Sequence, residues 1–306
     1  MRHRMVGIVV AMLVGLVAAA CGKSTTSGSG STPSGGTKAS VTVGSNSFAE
    51  SEIMAQMYGQ VLAHAGYQVN YKMDVGARQV LQAAMPGQIQ VAPEYVGSLL
   101  TVYLHGTGSS DPAKELADDN TALAPKNLTL VGYSPAADQN TFVVTKATAD
   151  KYHLSTISDL KKVTDKLTLA GPPECQSSAL CLGGLQSTYG LSLTFQALGS
   201  GCDNPPAQAL EAGQVNIAEL CTTQSVIAKD NLVQLKDDKN LQQADNITAE
   251  VGTALLNANP GIKGLLTGVM NKLTSDALAS LDDEVSVGHK DASSVATTWL
   301  KQNGLL

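Results

Sequence analysis

Gln82-Ala-Ala-Met-Pro-Gly-Gln-Ile-Gln-Val-Ala-Pro-Glu-Tyr95 is matched, 126 positions on, by Gln208-Ala-Leu-Glu-Ala-Gly-Gln-Val-Asn-Ile-Ala-Glu-Leu-Cys221. Five of the fourteen positions are identical, and Ile/Val, Gln/Asn and Val/Ile exchanges preserve the character of three more. Each copy has the form of a helix, a Gly stop and a short apolar strand. Such a unit is common enough to arise twice by chance. Its setting in two similar stretches of chain favours a genuine two-lobed architecture instead.

Outward from the first copy, Val41–Gly44 reads as a strand, followed by Ser47-Phe-Ala-Glu50 in the form of a capping box with Ser47 as N-cap. The helix after it carries Ile53, Met54, Met57, Tyr58, Val61 and Leu62 at three- and four-residue spacings and stops at Gly66. Val69–Met73 alternates like a strand, and a helix over Gln79–Met85 leads into the apolar segment Ile89–Ala92. Around the second copy the order returns: strand Leu167–Ala170, helix Leu182–Tyr189 ending at Gly190, and helix Ala207–Ala212. Strand–helix alternation with short links makes this an α/β protein. Leu128–Val144, rich in strand formers, is the expected link to the second lobe, and Asn246–Leu255 the return. Helices around Gly261–Leu273, Ser275–Leu281 and Ala292–Leu300 then rejoin the first lobe. The expected division is 41–139 plus 249–306 for lobe one and 140–248 for lobe two. Ligands of such folds bind in the cleft at the carboxyl ends of the strands.

The rest of the 306-residue chain is an address and a tether. Arg2 and Arg4 precede an apolar run from Met5 to Val17 and then Ala18-Ala-Ala-Cys21, the pattern of an export signal over residues 1–20. Thirteen apolar residues fall short of the ~20 that span a bilayer. Cys21 after small residues resembles a bacterial lipobox, which would make it the lipid anchor; the alternative is an ordinary secretory signal with an incidental cysteine. Residues 22–40 contain 15 Gly, Ser or Thr among 19 and read as a flexible coil. Removal of the signal leaves 18 basic against 26 acidic residues. That balance, with no Lys/Arg run, excludes a nucleic-acid partner. Hydrophobic residues at 43% exclude a disordered chain.

Four segments resemble one known family: Val43-Gly-Ser-Asn-Ser-Phe-Ala-Glu-Ser51, Pro93-Glu-Tyr-Val-Gly-Ser98, Ala137-Asp-Gln-Asn-Thr-Phe142, and Gly171-Pro-Pro-Glu-Cys175 continued by Gly183-Gly-Leu-Gln-Ser-Thr-Tyr-Gly190. They are similar to the substrate-binding lipoproteins of ABC importers for glycine betaine, carnitine and choline. The resemblance covers essentially all of 41–306. It implies a type II periplasmic-binding-protein fold, two α/β lobes joined by two crossing strands. It also implies a monomeric receptor on the extracytoplasmic face of the cell membrane, which captures a small molecule and passes it to a permease driven by a cytoplasmic ATPase. No catalysis and no cofactor are implied.

A quaternary ammonium has no N–H to donate, so such a site holds it against aromatic faces. The resemblance implies Tyr95 as one wall of the cage and Ser98, three residues on, as a selectivity position. Phe142 stands where the family has a second tyrosine, with Asn140 beside it. Asn46 would lie in a loop of the first lobe, with Cys221 and Thr222 across the cleft. The chain departs from the family at Cys221, usually aromatic, near Ala244–Ile247, where another cage tyrosine would fall, and at Glu174–Cys181, which has no Arg. A cage with so few rings leaves open a different small polar or aromatic solute. An anchored hydrolase or a surface interaction protein are the remaining classes.

Beyond Cys21, the cysteines Cys175, Cys181, Cys202 and Cys221 make an even set in an exported domain. Four cysteines permit three pairings; Cys175–Cys181 as a local staple with Cys202–Cys221 is the favoured one. A four-thiolate zinc site lacks paired C-x2-C knuckles, so no metal is expected. Ser158-Asp-Leu-Lys161 has a Ser-x-x-Lys form but reads better as a helix start capped by Ser158. His64, His105, His153 and His289 show no ligand spacing. Asp282-Asp-Glu284 reads as a solvated face. Glu50, Glu94 and Glu219 read as cap or strand-end carboxylates, each able to offset a cationic ligand.

Overall fold

Alternation along Ser40–Gly44 turns Val41 and Val43 inward, and this strand, β1, founds the first sheet in the computed structural model, which describes residues 38–199 and 204–306. Helix α1 (Ala49–His64) follows, then β2 (Gln68–Lys72), helix α2 (Arg78–Ala84) and β3 (Val91–Tyr95). β4 (Leu128–Ala137) ends the first pass. The chain then builds β5 (Asn140–Thr145), β6 (Leu167–Gly171), β7 (Leu193–Ala197), β8 (Ile217–Cys221) and β9 (Leu232–Leu235), and returns as β10 (Asn246–Gly252). The sheets have the orders β2-β1-β3-β10-β4 and β7-β6-β8-β5-β9.

The two orders are the same plan. In each, a founding strand pairs in parallel with two neighbours, and an antiparallel fourth strand follows. β3 and β8 are equivalent central strands, and they carry the two copies of the repeat, so Tyr95 and Cys221 end matching strands. Both strands are buried along their whole length, as expected of strands covered on both faces.

Each sheet is covered on both faces. α1 buries Ile53, Met54, Met57, Tyr58, Val61 and Leu62, the residues its spacing selected. They share one core with helices Gly261–Met270, Ser275–Ser286 and Ala292–Gln302, so the C-terminal helices do rejoin the first lobe. The opposite face holds Leu81, Ile89, Leu99, Leu123 and Leu130. In the second lobe, Phe142, Leu169, Leu185 and Tyr189 pack on one face of the sheet and Ala207, Leu210 and Leu220 on the other.

Three local expectations need correcting. α1 is capped at Phe48 with no side-chain cap bond, because Glu50 turns to Tyr95 instead of back to the helix start. The helical turn at Ile157–Lys162 is capped by Thr156, whose hydroxyl and the Asp159 carboxylate form the reciprocal box; Ser158 lies inside it. The Leu128–Val144 link is two strands broken at Asp138–Gln139, and there the chain changes sheets. The outgoing and returning crossings are tied by the Asp138 N–H, which donates to the Asp245 carbonyl at 3.1 Å. Cys21, the export signal, the tether up to residue 37 and Cys202 lie outside the described residues, and Ser40, read as the end of the tether, begins β1.

Candidate functional site

The loop after β1, the end of β3 and the two crossings converge on Tyr95. Its ring is buried and its hydroxyl donates to Glu50 at the start of α1. Phe48 stands beside it with ring centroids 6.3 Å apart, and Phe48 is 45% exposed, an unusual state for a phenyl ring. Ser98, just past β3, donates its backbone N–H and its hydroxyl to the Asp245 carboxylate at 2.8 and 2.6 Å. Gly97 is needed for this approach, because a Cβ there would stand 2.1 Å from the Ala244 carbonyl oxygen.

A cavity of about 580 Å³ opens beside this wall, with Phe48 in its lining and Tyr95 behind it. Its first-lobe lining includes Phe48, Glu50, Asp138 and Asp282; Thr223 and Ser225 face them from the second lobe. Among the described residues, no lysine, arginine or histidine lines it. Ser225 and Lys229 reach across to Asp283 at its rim, at 2.7 and 2.5 Å.

The carboxyl groups here share an environment that resists ionisation. Burial pushes Glu50 well above the usual range, and the Asp138, Asp282 and Asp245 charges push it further, against the Tyr95 hydroxyl. Asp245 is pushed up to about 7, chiefly by burial, with the Ser98 hydrogen bonds opposing. Asp138 is pushed up to about 6 by burial, opposed by a hydrogen bond from Thr223 at 2.9 Å. Asp282 is raised by burial as well. Its reading as a solvated face is therefore corrected: Asp282 is half-buried against the cavity, while Asp283 and Glu284 pair with Lys229 and Lys290.

The second lobe supplies the facing wall. Asn140 and Cys221 are cross-strand partners at the ends of β5 and β8. With Glu174, Ser178, Glu219 and the joined Cys175 and Cys181 they line a cavity of about 140 Å³. Cys221 is itself disulfide-bonded. Thr222 stitches strand end to crossing: its hydroxyl donates to the Ala137 carbonyl at 2.8 Å and accepts the Gln139 N–H at 3.0 Å. Asn140, Phe142 and Thr222 border a further cavity of about 350 Å³. The Phe142 ring is fully buried among Val144, Ile157 and Leu235. Asn46 is buried in the first lobe; its N–H donates to Ser51 Oγ, and its Oδ1 has no hydrogen-bond partner.

Tyr95, Ser98, Asn140, Cys221 and Thr222 are thus brought to strand ends around the crossings. Phe48, Asp138, Asp245 and Asp282 join them, although the sequence does not mark them as site residues. Each lies in a segment the sequence marks for another reason: Phe48 in Val43–Ser51, Asp138 beside Asn140, Asp245 in Ala244–Ile247 and Asp282 in the acidic run. Among the described residues, no group of three or more His, Cys, Asp or Glu side chains could hold a metal, and no helix is long and apolar enough to cross a membrane. The arrangement sets carboxyl groups and the Phe48 ring, backed by Tyr95, around a cavity that no lysine, arginine or histidine among the described residues lines, which suits a cationic solute.

Residues 39–302 match the family described as the substrate binding domain of ABC-type glycine betaine transport system. The carnitine transport binding protein OpuCC of Listeria monocytogenes is 26% identical over 273 residues, covering 88% of each chain. The glycine betaine-binding protein YehZ of Escherichia coli is 25% identical over 276 residues, 86% of this chain and 90% of its own. A solved structure of a glycine betaine/carnitine/choline ABC transporter superposes with a TM-score of 0.78 at 25% identity, over 87% of this chain and 99% of the other.

Proposed function

Because this chain belongs to the family of substrate-binding domains of ABC-type glycine betaine transport systems, we propose that its interlobe cleft captures a quaternary ammonium cation of the choline type and delivers it to a membrane permease. The two lobes, divided after residue 139 and where β10 begins at Asn246 and not at 249, close over the solute, and a lipid on Cys21 keeps the receptor at the extracytoplasmic face. Binding is the whole of its task, with no bond made or broken.

One observation carries the choice of solute. The cavity beside Tyr95 and Phe48 is lined by Glu50, Asp138 and Asp282 and by no basic residue among those described. A trimethylammonium head gains from the ring faces and from the carboxylates together. The carboxylate of glycine betaine or carnitine would be set among like charges. A small polar or aromatic solute remains the second reading, supported by the two rings alone.

Ligand-induced thermal shift across choline, glycine betaine, carnitine, sugars and phenolics tests this. Choline raises the melting temperature most. Stabilisation by a sugar or phenolic alone would remove the cationic reading, and no shift with any solute would favour a surface interaction protein.

A further inference from the structure

We propose that the second-lobe wall of the cleft is a second cation subsite, built on Glu219 and Glu174, that takes an N–H-bearing ammonium group. The solute held best is then a small dication with one cationic end on each wall. This rests on the reading that the cleft binds an organic cation, and adds what the far end of that cation must be.

Glu219 is the centre of the argument. It sits on β8 opposite Phe142, is 5% exposed, and its Oε2 is buried without a hydrogen-bond partner. A buried carboxyl oxygen left in this state is an exception that calls for a donor. Glu219 borders the cavity of about 140 Å³, whose other polar side chains are Glu174, Asn140 and Ser178. No lysine, arginine or histidine lines it, so among the described residues the protein supplies no cation of its own. The space beside Glu219 is kept by Gly171, where a Cβ would come within 3.3 Å of the Glu219 Cβ and 3.2 Å of Cys175 Sγ. Disulfide-bonded Cys175, Cys181 and Cys221 hold its walls in place.

The chemistry of the missing partner follows. A quaternary ammonium cannot satisfy Oε2, because it has no N–H. A hydroxyl could donate, yet brings no positive charge to offset the burial and the Glu174 charge that keep Glu219 from ionising. Burial, then the Glu174 and Asp138 charges, push the Glu219 carboxyl up to about 8, and a nearby positive charge reverses that pressure. An ammonium group does both. Asp138 adds to the field at Glu219 and also at Glu50, so it stands between the walls and favours positive charge along the path joining them.

Calorimetric titration of the intact protein with 1,4-diaminobutane, butylamine and choline tests the subsite. We expect the diamine to bind roughly tenfold tighter than butylamine or more, the scale of one additional charge-assisted hydrogen bond. Glu219→Gln brings the diamine-to-butylamine ratio towards one. Glu174→Gln, an exposed position that does not threaten folding, lowers the same ratio. If choline binds and the diamine shows no advantage over butylamine, or if both variants keep the ratio, the second subsite is wrong while the choline-type reading stands. If Glu219→Gln instead weakens glycine betaine or carnitine selectively, Glu219 is a protonated donor to a carboxylate, and the proposal is overturned. Absence of binding by every cation would overturn both readings.

Discussion

Choline affinity should rise with pH. A bound cation favours the ionised form of every carboxyl beside it. In the free protein burial holds Asp245 up to about 7 and Asp138 up to about 6, so at a pH of about 5 both carry protons that binding must expel. Ligand binding is then coupled to proton release, and affinity climbs until the groups have ionised in the free protein. For Asp245 alone, about one molecule in a hundred is ionised at pH 5 and about nine in ten at pH 8. If only the ionised form binds, affinity changes by about 90-fold, or about 2.7 kcal/mol. Asp138 raises Asp245 through its own charge, so their effects overlap. An increase of about 10- to 100-fold between pH 5 and pH 8 is expected. Titration calorimetry in two buffers of different ionisation enthalpy gives the affinity and the protons released together. Asp245→Asn should flatten the profile. An affinity that is constant or falls with pH, or a net uptake of protons, would refute the reasoning.

Three further outcomes are expected. Glu250, fully buried on β10 and hydrogen-bonded by Gln82, is pushed up to about 8 by burial and then by Glu94. The folded state keeps a proton that the unfolded chain has lost, so the stability associated with this group is present at low pH and is lost as pH rises from about 4 to about 8. Glu250→Gln should therefore stabilise the protein by about 2–4 kcal/mol at pH 8 and by far less at pH 5 in denaturant titrations; equal effects at both would show the carboxyl ionised throughout. Tyr95→Ala removes a cage face and the donor to Glu50, and should weaken choline about 3- to 30-fold by calorimetry; an unchanged affinity would exclude Tyr95 from the site. Gly97→Ala drives a Cβ against the Ala244 carbonyl and should lower stability by about 1–3 kcal/mol in urea titrations; a neutral effect would mean the return crossing yields freely.

The fold was legible because it is written in local period. The spacing Ile53, Met54, Met57, Tyr58 fixes the buried face of α1 whatever lies elsewhere, and the 126-residue repeat marks equivalent central strands. The candidate site was legible only where its residues follow from strand ends, as Tyr95 and Cys221 do at the ends of β3 and β8. Glu50 showed the limit. Three residues from Ser47, it has the spacing of a capping partner, yet its oxygen accepts from Tyr95, far away in sequence and on another strand. No local rule weighs that competition. Asp245 is similar: near the place where the family has a tyrosine, the chain has a carboxylate, whose role appears only once the return crossing sets it against Ser98. Phe142 reads as a cage wall by position, while β5 turns its ring into the second-lobe core.

Aromatic residues make up only 4% of the chain, and the structure shows where they are committed. Tyr58 and Tyr189 fill the two cores with no exposed surface, and Trp299 packs among the C-terminal helices. Few rings are left for the cleft, and the positions around it carry acids. The substitution is energetically sensible. A ring face contributes about 0.5–2 kcal/mol to a cation, whereas a carboxylate at about 4 Å contributes on the order of 4 kcal/mol in surroundings of intermediate polarity. Carboxylates, unlike rings, must be kept charged in a partly dry cleft, and the raised values at Glu50, Asp138 and Asp245 are the trace of that cost in the free protein. An acid-built cage therefore gains attraction and, by the same physics, gains a dependence on pH that a ring-built cage lacks. The two designs are separable by the slope of affinity against pH, even if their affinities at neutral pH coincide.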